Sequence, residues 1–448
     1  MTMEKKKINM VAVVTMCFIF AMISFVTNMA APFGNIWKGQ YNWAAMMGNM
    51  MNFAAYLFMG IPAGKMLVSV GYKKTTLIGI ATGFVGIVIQ WLSSLAVFGA
   101  AAIYVYLLGA FVCGFCVCML NTVVNPMLNL LGGGGNKGNQ FIQIGGTCNS
   151  LSGTLTPLLV GVLIGTVTDK TAMSDVAPLL FIAMAVFAIS FVIISFVQIP
   201  EPALERENVK FEHSAWNFRH TVLGVVAIFF YVGIEIGIPA QLNFYISDLG
   251  FEGSAAVAGF LAASYWFLMM VGRFLSSAIS GKISTRTQMI CVSSVSILLL
   301  LIAIFLPESI SMTVKGAAVP MKCVFLAACG ICTSIMWGAI FNLAVEGLGK
   351  YTEQASGIFM MMVVGGGIMP LIQQAIAQRA GAIPSYWLVI AMLAYLLYYS
   401  VAGCKNVNKD IPVEYLSVEA ALGNGSMDVR SSSFSPSLCI TDFPIKIK

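Results

Sequence analysis

One carboxylate, Glu235, sits well inside a long apolar segment, and most other side chains able to do chemistry at that depth are amides. Asn28, Asn49, Asn52, Asn149, Gln241, Asn243, Asn342, Gln373 and Gln374 each interrupt an apolar run, and Trp337 stands in the same run as Asn342. Asn121 and Asn125 are four residues apart, which puts them on one face of a helix. An amide offers both donors and an acceptor. Several amides beside an aromatic face suit a neutral, polyhydroxylated solute, whereas phosphate or a strong anion calls for fixed cations. Polar side chains in apolar bundles also bridge helices, and each single Asn fits either role. It is the concentration of the set that points to a site. Glu235 has two open roles, as a proton carrier or as a hydrogen-bonded brace.

Other chemistries find no support in the residues. There is no Ser–His–Asp set and no carboxylate pair suited to hydrolysis, so an enzyme is not expected. The only two His, His213 and His220, lie in or beside a polar stretch. The pairs Cys113/Cys116 and Cys329/Cys332 have Cys-x-x-Cys spacing but lie in apolar segments without a nearby His, and read as small packing residues. No metal site and no cofactor are expected. The glycine run at 132–135 is followed by Asn136-Lys137-Gly138 and lacks the Gly-Lys-Ser/Thr ending of a phosphate loop, so ATP is not the energy source.

The elements that must carry these residues are set by hydropathy. Only 9% of the 448 residues are charged and mean hydropathy is +0.89, where a soluble chain carries about a quarter charged residues. Apolar stretches near 8–31, 44–64, 75–98, 102–128, 144–167, 177–199, 220–246, 255–279, 287–306, 320–345, 355–378 and 384–404 each match the roughly 20 residues needed to cross a bilayer. Backbone groups in lipid must pair within their own segment, so these are helices, and no stretch shows the alternation of a barrel strand. The first is retained and is not a cleaved signal peptide, because no small-residue cleavage site follows it. With the N-terminus inside, Lys38, Lys170, Lys315, Lys322 and Arg379 fall outside and the other nineteen of the 24 Lys and Arg fall inside. That bias predicts both termini cytoplasmic in a multi-pass protein. The net charge of +6 follows from it and does not imply nucleic acid.

The polar stretch at 201–220 divides the segments into two sets of six. The expected organisation is an N-terminal six-helix bundle (1–200), a solvated cytoplasmic linker (201–219), a C-terminal six-helix bundle (220–404) and a cytoplasmic, largely disordered tail (405–448). The halves are weakly alike. Each has a Cys-Gly-x-Cys followed by Leu-Gly (Leu131-Gly132, Leu348-Gly349), then a glycine cluster and a proline: Gly145-Gly146 with Pro157, and Gly365-Gly366-Gly367 with Pro370. Internal duplication of this kind is a transporter signature.

Particular stretches carry a closer likeness. They are Ile61-Pro62-Ala63-Gly64 with Gly71-Tyr72-Lys73-Lys74, Asn121-Thr122-Val123-Val124-Asn125-Pro126, Asn149-Ser150, Tyr231-Val232-Gly233-Ile234-Glu235, Gly272-Arg273-Phe274, and Gly347-Leu348-Gly349-Lys350-Tyr351-Thr352 before the glycine cluster. Over residues 10–404 the chain resembles the sugar-transporting branch of the major facilitator superfamily that holds fucose permease and the bacterial glucose/galactose transporters. The resemblance implies an all-α membrane protein of twelve transmembrane helices in two pseudo-symmetric bundles. It also implies a central cavity, alternating access and sugar uptake with a proton across the inner membrane. The chain departs from the family pattern twice. Asn28, four residues before Pro32, replaces an Asp, and Asn121 replaces a Glu. An amide still binds a hydroxyl but exchanges no proton.

The expectation is therefore a sugar transporter, a monomer in the bilayer, coupled to a proton or sodium. Asn28, Asn121, Asn125 and Asn149 contact the sugar from the N-terminal half, and Trp337 and Gln373 from the C-terminal half. Glu235 is the coupling candidate. Gly71, Lys73 and Arg273 belong to gate loops, and no Lys or Arg is expected deep in a span. An uncoupled facilitator and a multidrug exporter of the same fold are the alternatives, with a receptor signalling through its tail as a more distant class.

Overall fold

The computed structural model describes residues 9–41, 44, 47–164, 172–201, 212–251, 254–314 and 316–413. The helices are α1 (Met10–Gln40), α2 (Met47–Leu92), α3 (Ala102–Leu131), α4 (Gly135–Ile164), α5 (Ala177–Phe196), α6 (Arg219–Ser247), α7 (Ser254–Ile279), α8 (Thr285–Phe305), α9 (Lys322–Val345), α10 (Thr352–Met361), α11 (Gly365–Ala380) and α12 (Tyr386–Tyr398). Among the described residues ten helices are long and apolar enough to cross a membrane. One of the ten is α2, whose 46 residues would measure roughly 70 Å if straight, twice a bilayer core. It is two crossings joined at Gly71, and the 30-residue α4 adds another. A single 3-10 turn, Met362–Val364, separates α10 from α11, and the two act as one crossing. The count is consistent with twelve.

Gly71 breaks α2 because its φ of 86° and ψ of 173° suit a residue without Cβ. The break leaves the first N–H groups of the second crossing without helical partners. Glu201, at the end of the N-terminal half, supplies them: the N–H of Tyr72 donates to Oε2 at 2.6 Å and that of Lys73 to Oε1 at 2.7 Å. The Lys73 ammonium donates to the carbonyl of Ser195 at 2.7 Å, tying the same corner to the end of α5. A carboxylate here also meets the positive end of the helix dipole.

In the N-terminal half α1 packs on α3 and α4, and α2 on α3 and α5; in the C-terminal half α6 packs on α7, α9 and α11, and α8 on α9 and α12. α3 and α9 are the most buried crossings, while α5 and α8 turn most of their apolar side chains outward. The halves meet through α2 against α10 and α4 against α7 and α9. We call the end of the bundle where α1 begins and α12 ends the terminal face, and the opposite end the far face. The far face adds a feature absent from the all-helical reading, a hairpin of β1 (Ser311–Val314) and β2 (Ala317–Pro320) with Val314 opposite Ala317.

Two domain expectations need amending. The linker residues 202–211 and tail residues 414–448 lie outside the described residues. What is described of the linker is not simply solvated: Ser214 caps a short turn, Ala215–Asn217, and Phe218 is fully buried with its ring against those of His220 and Tyr351. The first stretch of the tail, 405–413, is docked on the terminal face. There the N–H of Arg219 donates to Asn408 Oδ1 at 2.9 Å and that of Lys350 to the carbonyl of Val413 at 3.2 Å.

If Glu201 holds the corner at Gly71, Glu201→Ala should lower the thermal midpoint of the detergent-purified protein, by a cap's worth of about 0.5–2 kcal/mol. Lys74→Ala, on the exposed side of the same turn, should leave that midpoint unchanged in the same scan.

Candidate functional site

The halves enclose one cavity of about 650 Å³ that reaches helices of both, within the roughly 300–1,000 Å³ of small-molecule pockets. α1 contributes Ser24, Thr27 and Asn28, and α2 contributes Asn49 and Tyr56. Asn121 comes from α3, and Gln143, Asn149, Ser150 and Thr154 from α4. The C-terminal half supplies Glu235, Trp266, Arg273 and Trp337. The wall of the N-terminal half thus sets amides and hydroxyls among Phe20, Ile23, Phe53 and Ile142 and carries no charge, and the opposite wall carries two tryptophans and the charges.

Most of these side chains are already oriented. Asn28 Nδ2 donates to the carbonyl of Ser24 at 2.8 Å and to its hydroxyl at 3.0 Å, the hydroxyl and amide sharing one helix face. Asn121 Nδ2 donates to the Tyr56 hydroxyl at 2.8 Å, fixing α3 against α2. Asn149 Nδ2 donates to the carbonyl of Phe20 at 2.9 Å, bonding α4 to α1. Each amide spends a donor on a brace while its side chain stands at the cavity wall.

Asn125 and Gln373 are not at the cavity. Asn125 is fully buried one turn below Asn121; its Oδ1 accepts from Trp337 Nε1 at 3.0 Å and its Nδ2 donates to the carbonyl of Asn121. It fixes the tryptophan from across the two halves. The Trp337 ring also meets Tyr231 and Phe359 edge to face, at centroid distances of 6.2 and 6.1 Å. Gln373 is fully buried between α11 and the following turn, with Nε2 3.5 Å from Ser385 Oγ. A fully buried amide cannot touch a solute without rearrangement. Gly71 and Lys73 lie at the terminal-face corner.

Arg273 is a correction. It belongs to no loop: it lies inside α7, is 8% exposed and lines the cavity. Its Nη2 donates to Glu235 Oε1 at 3.0 Å. Its Nε donates to the carbonyl of Ser334 at 3.4 Å, and Nη1 to Ser150 Oγ at 2.7 Å, the carbonyl of Gly146 at 3.3 Å and Asn149 Oδ1 at 3.4 Å. A guanidinium stays charged, so in this interior it needs a counter-ion and acceptors around it. The signal was in the sequence, since Gly272-Arg273-Phe274 falls inside the apolar run 255–279. Such a charge takes a buried partner, and Glu235 was the one carboxylate available. With the two paired, the described cavity carries no net charge.

The cavity is closed toward the terminal face. Hydrogen bonds join the halves on that side: Asn129 Nδ2 to Asn342 Oδ1 at 2.7 Å, Gln140 Nε2 to the carbonyl of Ser277 at 2.9 Å, and Gln143 Nε2, at the cavity wall, to that of Ile335 at 2.9 Å. Gly60, Gly64 and Gly357 let α2 and α10 meet backbone to backbone. A Cβ on Gly64 would fall 2.9 Å from the Cα of Gly357, and one on Gly60 would fall 2.7 Å from its carbonyl oxygen.

Residues 10–370 match the family described as Major Facilitator Superfamily. A glucose/galactose transporter of Brucella abortus is 32% identical over 413 residues, covering 88% of this chain and 94% of its own length. A putative glucose/galactose transporter of Helicobacter pylori is 29% identical over 369 residues, covering 79% and 86%. The L-fucose-proton symporter of Escherichia coli is 24% identical, covering 77% and 81%. In architecture the chain is similar to a crystal structure of the Escherichia coli fucose:proton symporter, with TM-score 0.74 at 18% identity over 88% of this chain and 98% of that one. A second structure, in the outward conformation, gives 0.71 at 19%, covering 87% and 97%.

The close approach at Gly64 gives a direct check on the closed face. Gly64→Leu should force α2 from α10, so that spin labels at the exposed Lys74 and Lys282 show a longer and broader distance distribution. An unchanged distribution would mean that the glycine contact does not set the closure.

Proposed function

Because the chain belongs to the major facilitator superfamily, we propose that it is a sugar transporter working by alternating access, taking up a hexose, deoxyhexose or related neutral sugar across the cytoplasmic membrane. The observation that carries this is the uncharged wall that the N-terminal half gives the cavity, with the amides Asn28, Asn121 and Asn149 set on three helices among apolar and aromatic side chains. Hydrogen-bonding amides with aromatic faces opposite bind hydroxyls and stack a pyranose ring without needing a charged ligand. The names of the relatives, glucose/galactose transporter and L-fucose-proton symporter, point the same way. Trp337 and Trp266 offer the aromatic surfaces.

The lysine and arginine bias puts both termini in the cytoplasm, so the closed terminal face is the cytoplasmic one and the cavity faces outward. Uptake then requires the halves to rock about the site, breaking the contacts below it and forming others above. One protomer encloses the whole cavity.

Coupling follows from the charges. Asn28 and Asn121 exchange no proton. Glu235 is the only carboxylate lining the described cavity, and it is ion-paired with Arg273. Protonating Glu235 would leave Arg273 buried without its counter-ion, a cost of about 3–5 kcal/mol for broken buried pairs. That favours an uncoupled sugar facilitator as the second reading, with proton symport through Glu235 requiring the pair to open during the cycle.

Transport measurements and one substitution test these readings. Radiolabelled sugars should enter proteoliposomes; accumulation driven by an imposed pH or sodium gradient supports symport, and equilibration indifferent to both supports the facilitator. Absence of sugar flux, together with altered drug susceptibility of cells carrying the protein, would replace the sugar reading with the exporter. Asn121→Ala should lose at least about tenfold in uptake, the equivalent of roughly 1.4 kcal/mol, at unchanged membrane abundance. A fall in abundance that tracks uptake would reduce Asn121 to its brace on Tyr56.

A further inference from the structure

Arg273 is anchored in the C-terminal half and spends one of its nitrogens on the other half. Glu235 and the Ser334 carbonyl hold Nη2 and Nε from α6 and α9. Nη1 crosses to α4, where it meets Ser150 Oγ, the Gly146 carbonyl and Asn149 Oδ1. Ser150, Gly146 and Asn149 are all cavity wall. The contact therefore has two properties at once: it bonds the halves together at the cavity wall, and it occupies acceptors that a bound hydroxylated solute would seek.

We propose that Arg273 is a positioning residue that ties solute binding to the rocking of the halves: its guanidinium latches the C-terminal half to α4 until solute hydroxyls take over Ser150 and Asn149. The inference rests on the sugar reading of the cavity. Distances say where the latch is strong. The bonds to Gly146 and Asn149 are long, 3.3 and 3.4 Å, and the one to Ser150 is short, 2.7 Å. A solute has one firm bond to displace, and a sugar brings several hydroxyls to the same wall. Once displaced, the guanidinium keeps Glu235 and the Ser334 carbonyl, so its charge is not stranded. Rigid-body rocking that parts α4 from α7 breaks the latch in any case. A solute that binds preferentially once the latch is open shifts the population toward that state, and its differential affinity sets how far.

Cross-linking at the closed face tests the latch. Asn129 and Asn342 touch across it at 2.7 Å, so the thiols of Asn129→Cys and Asn342→Cys can be bridged by a short bifunctional thiol reagent, the bridge identified among the native cysteines by peptide mass spectrometry. With no sugar present, adding Arg273→Ala to that pair should lower the cross-linked fraction at least about fivefold, the lower end of ordinary coupling between sites. Arg273→Lys should restore part of it, because the cation remains but the fork is lost. Ser150→Ala, which leaves the Arg273–Glu235 pair intact, should lower it less and covers the case in which Arg273→Ala fails to fold. Cross-linking unchanged in the Arg273→Ala variant, or in Ser150→Ala where that variant does not fold, overturns the latch. In the parent pair, a sugar the protein transports should lower cross-linking, and Arg273→Ala should abolish that response. If no sugar in the panel alters the parent while Arg273→Ala still does, the sugar reading fails and the latch stands.

Discussion

A charge that cannot be discharged sits in an interior that cannot solvate it. Arg273 has five N–H donors and a permanent positive charge, and α7 carries it into the centre of an apolar bundle. The surroundings answer that demand: Glu235 supplies the counter-charge from α6, Ser334 a carbonyl from α9, and Gly146, Asn149 and Ser150 three oxygens from α4. Four helices from both halves are thereby fixed relative to one another. Hydrophobic burial does not distinguish one helix arrangement from another when lipid is as apolar as the core. Polar demand of this kind does, and it selects the arrangement in which the cavity exists.

The remaining polar side chains divide along the same line. Asn28, Asn121 and Asn149 each give a donor to a neighbouring helix or turn while standing at the cavity wall, so their positions are set by the bundle. Asn125 goes entirely to structure, holding Trp337 by its indole N–H from the other half. Such preorganisation keeps a weakly polar site specific, because orienting groups in advance lowers the cost of binding.

Legibility in the sequence followed physical scale. Long apolar runs with a positive-charge bias gave the crossings and their grouping, since those signals are integrated over about 20 residues and hold whatever the packing. Asn28, Asn121 and Asn149, singled out because an amide in lipid has few uses, line the cavity. Asn125 and Gln373 met the same test and lie away from the cavity, because sequence shows depth along a helix but not which way its face turns against neighbours. Arg273 was misplaced by proximity to a segment end, where the side chain could equally have reached out to water. Gly71 was noticed as part of a turn, but its partner Glu201 is 129 residues away from Tyr72, a separation no local pattern spans. The hairpin at 311–320 and the docking of 405–413 depend on surfaces that exist only once the bundle is formed.

The seam between α2 and α10 has a stretch of glycine backbone at its middle, with the Tyr72 hydroxyl donating to Glu353 Oε1 at 3.5 Å nearer the terminal face, and the glycine stretch responds to its surroundings in its own way. Gly60, Gly64 and Gly357 contribute no charge and no side-chain donor. What holds them together is dispersion at van der Waals distance, which fades within an ångström or so of separation. A seam of ion pairs would weaken progressively as salt rises and would feel the membrane potential. A glycine seam is indifferent to both: it is either in contact or apart, with little resistance between. At the glycine contact the two halves can therefore part without working against a long-range pull, and ionic strength has little purchase on that contact.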